Sequence, residues 1–133
     1  MTVPWPRDLT MTANAGASLA TGSLQTIVGR SQYTATVQAV AYIPAGSVSG
    51  ASGNNRTLTL YNRGTGAGTV AVAALTLVSG TNLTDNTARV ITLATGSSLT
   101  VAVGDVLEWD STANASGVAD PGGHVVVTLA LRS

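Results

Sequence analysis

At 133 residues the chain has the length of one domain, and only 9% of it is charged, for a formal net charge of zero. Its six cations are all arginines, Arg7, Arg30, Arg56, Arg63, Arg89 and Arg132, set singly along the chain with no lysine between them. No basic run tracks a phosphate backbone or an anionic membrane, no cysteine offers a disulfide or thiolate ligand, and no apolar stretch nears the roughly 18 residues of a membrane helix.

The apolar residues are mostly Ala and Val with some Leu, and phenylalanine is absent. Small side chains bury little area each, at about 25 cal/mol per Å², so an isolated monomer is expected to have a thin core and to gain stability from neighbours. The first residues lack a charged segment followed by an apolar one, so synthesis in the cytoplasm without a signal peptide is expected.

Residues 1–22 are read as an extended arm preceding a β-sandwich domain at 23–133. Pro4-Trp5-Pro6 holds an extended backbone, because each proline locks its own φ and biases its predecessor toward β or polyproline geometry. A weakly patterned Thr/Ala/Gly/Ser stretch follows, from Thr10 to Gly22. An aromatic held between prolines suits a partner's pocket, which makes Pro4, Trp5, Pro6 and Arg7 the candidate partner-binding residues. The alternative, in which Trp5 folds back to plug one end of the domain, remains open.

Beyond the arm, apolar residues alternate with period two and no segment shows the 3.6 period of a helix. The spacing predicts strands at Leu24–Val28, Tyr33–Ile43, Arg56–Tyr61, Thr69–Val78, Arg89–Leu93, Leu99–Val103, Val106–Asp110 and His124–Leu131. In Arg56–Tyr61, Leu58 and Leu60 face one way and Thr57, Thr59 and Tyr61 the other. In the last strand Val125, Val127, Leu129 and Leu131 share a face, and its bulk suits a central place in a sheet. Turn clusters such as Arg63-Gly-Thr-Gly-Ala-Gly68 and Asp120-Pro-Gly-Gly123 separate the strands. About seven or eight such strands predict an all-β, antiparallel β-sandwich or jelly roll.

Catalytic equipment is sparse. The sole histidine, His124, opens an apolar strand with no nucleophile motif in the chain, and one histidine cannot form a clustered metal site. Glu108 and Asp110 share one strand face opposite Leu107 and Trp109, a geometry that could serve hydrolysis or calcium, but they also fill the polar positions of an amphipathic strand. Asp105 and Asp120 sit in turn sequences, where the carboxylate caps its own turn. Gly64-Thr-Gly-Ala-Gly68 matches no phosphate-loop pattern and joins two strands, so it reads as a hairpin loop. The expectation is a non-enzymatic protein with no catalytic, cofactor-binding or metal-binding residues.

Two segments carry a resemblance: Ile91-Thr-Leu-Ala-Thr-Gly-Ser-Ser-Leu-Thr-Val-Ala-Val-Gly-Asp-Val-Leu-Glu-Trp-Asp-Ser111, and Gly117-Val-Ala-Asp-Pro-Gly-Gly-His-Val-Val-Val-Thr-Leu129. Over about residues 56–132 the pattern is similar to that of tailed-bacteriophage head decoration (capsid cement) proteins. The resemblance implies a virion protein on the capsid surface, bound to the major capsid protein, often as a homotrimer, and stabilising the shell. No catalytic residue transfers with it, and no nucleic acid, membrane or small-molecule substrate is implied. Another virion part of the same fold (a head fibre base, tail decoration or receptor-binding tip) is the first alternative, and a carbohydrate-binding module the second.

Overall fold

Period-two alternation becomes a sandwich because each strand buries one face and leaves the other to solvent. The computed structural model describes residues 8–131 and contains ten strands: β1 Asp8–Ala15, β2 Leu24–Arg30, β3 Ala35–Pro44, β4 Arg56–Asn62, β5 Val70–Thr76, β6 Arg89–Val90, β7 Thr92–Leu93, β8 Thr100–Val101, β9 Val106–Ala113 and β10 Gly123–Leu131. They form two five-stranded antiparallel sheets. The first runs β1-β10-β3-β6, with β8 also on β3, and the second runs β2-β9-β4-β5-β7. β10 lies between β1 and β3, the central position expected from its bulk.

Leu58, Leu60, Leu107, Val125, Val127 and Leu129 are all fully buried, as the alternation requires. Among the small residues sit two large ones, Trp109 and Tyr42, whose ring centroids lie 5.2 Å apart. These two rings give the middle of the sandwich a volume that a count of Ala and Val does not suggest. Trp109 comes from one sheet and Tyr42 from the other, so their contact also joins the layers.

Three bulges reset the alternation. In β3 the register against β10 skips at Gln38, so Val37 and Val40 both face the core although an odd spacing separates them. β5 skips at Val72 against β4, which puts Val72 and Ala73 inside together. β2 skips at Val28 against β9. Each extra residue bends its strand and adds local twist.

Two sequence-based expectations need correction. Residues 8–22 are not an arm: β1 pairs with β10 along all eight of its residues, and the loop after it is bonded into the domain. Thr10 and Thr12 alternate with Leu9 and Met11, a half-buried edge strand whose weak apolar members conceal its pattern. Residues 1–7, and with them Pro4, Trp5, Pro6 and Arg7, lie outside the described residues. The second correction concerns Arg89–Leu93, predicted as one strand. Arg89 and Val90 pair with β3 in the first sheet, Thr92 and Leu93 pair with β5 in the second, and Ile91 crosses between them fully buried. These two differences account for ten strands where eight segments were read. The Leu99–Val103 segment also shortens, to a 3-10 turn at Gly96–Leu99 and the two residues of β8.

Burial sets a contrast that mutation can read. Leu60→Ala on central strand β4 should cost about 2–5 kcal/mol. Val90→Ala, at a position 70% exposed, should stay within about 0.5 kcal/mol of the parent. Urea unfolding of both variants checks the assignment of inside and outside.

Candidate functional site

Arg56 occupies the same strand phase as Leu58 and Leu60 and is therefore turned inward, where it is 1% exposed. Its guanidinium donates from Nε to the Val118 carbonyl (2.9 Å), from Nη1 to Ser111 Oγ (3.0 Å), and from Nη2 to the carbonyls of Leu19 and Gly22 (2.9 Å each). Ser111, inward on β9 in phase with Leu107 and Trp109, donates in turn to Asp120 Oδ2 at 2.6 Å. Asp120 Oδ1 accepts from the Tyr42 hydroxyl (2.8 Å) and from the Gly122 amide (2.9 Å). A buried cation and a buried carboxylate are thus joined through one hydroxyl. Burial lowers the Arg56 pKa, and the Asp120 charge opposes that effect. Burial also raises the Tyr42 pKa far above its ordinary value, helped by the Asp120 carboxylate, so the hydroxyl remains a donor.

This network holds two loops that the strands do not. Residues 16–23 are fastened through Leu19 and Gly22, and residues 114–122 through Val118 and Asp120. The loops also join at a Ser18–Asp120 bridge. Where they cross, Gly117 has φ 62°, and any Cβ there would collide with the Ala20 carbonyl. Leu19 is left 82% exposed at the tip of a loop whose backbone is pinned from inside.

On the outer face of the second sheet, Glu108 and Asp110 point the same way from β9, as their spacing predicts. Arg63, at the end of β4, serves both: Nη2 lies 2.9 Å from Glu108 Oε1 and 3.1 Å from Asp110 Oδ2. The guanidinium carbon sits 4.2 Å from the centre of the Tyr61 ring. Arg63 also donates from Nη1 to the Gly68 carbonyl, which fastens the hairpin loop Gly64–Gly68 as its sequence suggests. Asp110 departs from the expectation of an exposed polar position, being only 7% exposed. Its Oδ1 is buried with no hydrogen-bond partner among the described residues. Burial, then the neighbouring Glu108, push its pKa up to about 7, while hydrogen bonding from Asp110 and Arg63 holds Glu108 below its ordinary value. The arginine occupies the place between the two carboxylates that a calcium ion would need.

The remaining titratable candidates are spent locally. Asp105 Oδ2 accepts from the Ala102 amide and from Asn62 Nδ2 at 2.9 Å each, the turn role read from its sequence. His124 lies on the outer face of the first sheet, its Nδ1 2.8 Å from Asn14 Oδ1. Between Asp8 at one end and His124 at the other, that face presents Thr10, Thr12, Thr128, Val126, Ala41 and Val90, with no charge among them. A cavity of about 310 Å³ is lined by Ser47, Val48, Ser49, Val118, Ala119 and Pro121, and one of about 240 Å³ by Ala71, Ala73, Ala74, Thr92, Leu93 and Ala94. Neither contains a titratable side chain.

The sequence reading missed the Arg56 network, although a signal was present: Arg56 and Ser111 both stand at core-phase positions of their strands. Removing either should expose the cost of a buried charge. Arg56→Met strands Asp120 and frees two loops, and should cost about 3–5 kcal/mol. Ser111→Ala breaks the link alone and should cost about 1.5–3 kcal/mol. Denaturant unfolding would give both values, and hydrogen exchange should show the 16–23 amides losing protection first.

No protein-family model matches this chain, and no curated protein matches it. Among solved structures it is similar to a chain in the structure of infectious bursal disease virus, Gx strain, at 11% sequence identity and a TM-score of 0.43, over 95% of this chain and 33% of that one. The chain thus spans about a third of that protein's length.

Proposed function

We propose that this chain is a non-enzymatic virion structural protein that binds the outer surface of a tailed-phage capsid, through contact with the major capsid protein, and stabilises the shell. The observation that carries this reading is the outer face of the β1-β10-β3-β6 sheet, where the described residues between Asp8 and His124 carry no charge. Interface cores are depleted of charge, because a charge buried without a partner costs several kcal/mol, whereas Val, Ala and Thr shed water at little cost. Val90, 70% exposed beside Ala41 and Val126, is the natural centre of such a contact. The resemblance of residues 56–132 to head decoration proteins points the same way.

Support for a role without catalysis comes from the fate of the candidate groups. His124 is engaged by Asn14, the two carboxylates of β9 share one arginine, and neither cavity holds an acid or a base. No cofactor, nucleic acid, membrane or small-molecule substrate enters the proposal. Homotrimers are part of it, since the thinly charged surface favours association, and the place of action is the capsid exterior after synthesis in the host cytoplasm. Pro4, Trp5, Pro6 and Arg7 are proposed as an additional anchor.

Purified protein mixed with mature and immature capsids of its phage should occupy symmetric lattice positions when imaged. Density confined to tails or vertices would favour another virion role, such as a fibre base or tail component. Val90→Asp should weaken capsid binding at least tenfold while leaving the unfolding midpoint nearly unchanged, and deletion of residues 1–7 should weaken it independently. Light scattering should show a species of three chains at micromolar concentration; a monomer there would remove the trimer from the proposal.

A further inference from the structure

We propose that Glu108 and Asp110 form a proton-binding site that takes up one proton between them and so switches the outer face of the β2-β9-β4-β5-β7 sheet between an anionic and a neutral state. This goes beyond the capsid-binding reading and does not depend on it, because the contact face proposed there belongs to the other sheet.

The site is built from both neighbours of β9. From β4 and the residue that follows it come Thr59, which pairs with Asp110 in the register and is itself buried, and Arg63, with Tyr61 beneath its guanidinium. From β2 comes the neutral Gln25, also paired with Asp110. From β9 itself comes Glu108. Among the described residues the one cation facing the pair is Arg63, and with both acids ionised these three groups hold one uncompensated negative charge.

That charge sits poorly on Asp110. Arg63 binds its Oδ2, while Oδ1 is buried and unpaired, the costly condition for an anionic oxygen. The atom is closed to solvent, so a metal ion or an organic cation cannot reach it without opening the site. A proton can. Placed on Oδ1 and directed at the Glu108 carboxylate, it supplies the missing hydrogen bond and neutralises the cluster, with Arg63 still bound to both residues. The raised value of about 7 at Asp110, beside a lowered one at Glu108, is what such a shared proton produces.

The linkage has a definite sign. A carboxyl that holds its proton more tightly folded than unfolded adds stability as pH falls from about 7 toward the ordinary carboxyl value near 4. Most acid groups act in the opposite sense over that range. Carbon-detected NMR of the intact chain should therefore show the Asp110 carboxyl titrating near neutral pH, and the urea midpoint should rise as pH is lowered from 8 to 6. Asp110→Asn keeps the acceptor for Arg63 and adds a permanent donor toward Glu108, so its midpoint should be flat across that range and above the parent's at pH 8. Glu108→Gln removes the partner anion, and the Asp110 titration should move down by at least one pH unit. An Asp110 carboxyl that titrates below pH 5 in the parent chain would overturn the proposal, as would an Asp110 titration unmoved by Glu108→Gln.

Discussion

A buried cation, Arg56, holds together one end of the sandwich. Arg56 stands where the apolar register of β4 calls for another leucine, and it closes that end of the sandwich with hydrogen bonds in place of hydrocarbon. A guanidinium suits the position because its fixed fork of donors can reach several carbonyls at once and remains charged when buried. The carbonyls it reaches belong to loops that have no ladder of their own, so the arginine converts two irregular segments into part of the framework. Its counter-charge, Asp120, is not in direct contact. Ser111 accepts from one and donates to the other, which separates the ions while keeping both satisfied.

This arrangement also ties the sheets together. Arg56 and Ser111 belong to the second sheet, while Asp120 precedes β10 of the first and holds Tyr42 of β3. Tyr42 in turn lies against Trp109, so the polar network runs directly into the aromatic centre of the core. The chain passes from one sheet to the other at almost every connection, β4–β5 being the hairpin within a sheet. Non-local pairing of this kind makes for slow folding.

The two outer faces differ in chemistry for a local reason. The first sheet turns outward the short uncharged residues of β1, β3 and β10, and its few polar ends lie at the margins. The second turns outward Glu108 and Asp110 of β9, and Arg63, the residue after β4, serves both. Among the described residues, the Glu108–Asp110–Arg63 cluster lies on the second face, while on the first Asp8 stands at the margin. On that second face Asp110 lies between Thr59 and Gln25, and burial together with the adjacent Glu108 pushes its carboxyl pKa up to about 7.

The strand faces were legible in the sequence because side-chain direction alternates with period two whatever the partner strand may be. Leu58 and Leu60, Val125, Val127 and Leu129, and Leu107 with Trp109 are buried as their spacing indicates, and the turn roles of Asp105 and Gly64–Gly68 follow from backbone chemistry that is local. Other features depended on contacts between segments far apart in the chain. β1 is a strand because β10, more than a hundred residues later, supplies its ladder. Arg89–Leu93 divides because two sheets compete for one short segment and Ile91 can be buried between them. The burial of Asp110 comes from two strands that flank it only in space, and the role of Arg56 from carbonyls on separate loops. Alternation and turn chemistry are properties of neighbouring residues and survive in a linear reading; pairing partners, enclosure and the electrostatics that follow from them exist only once the layers have closed.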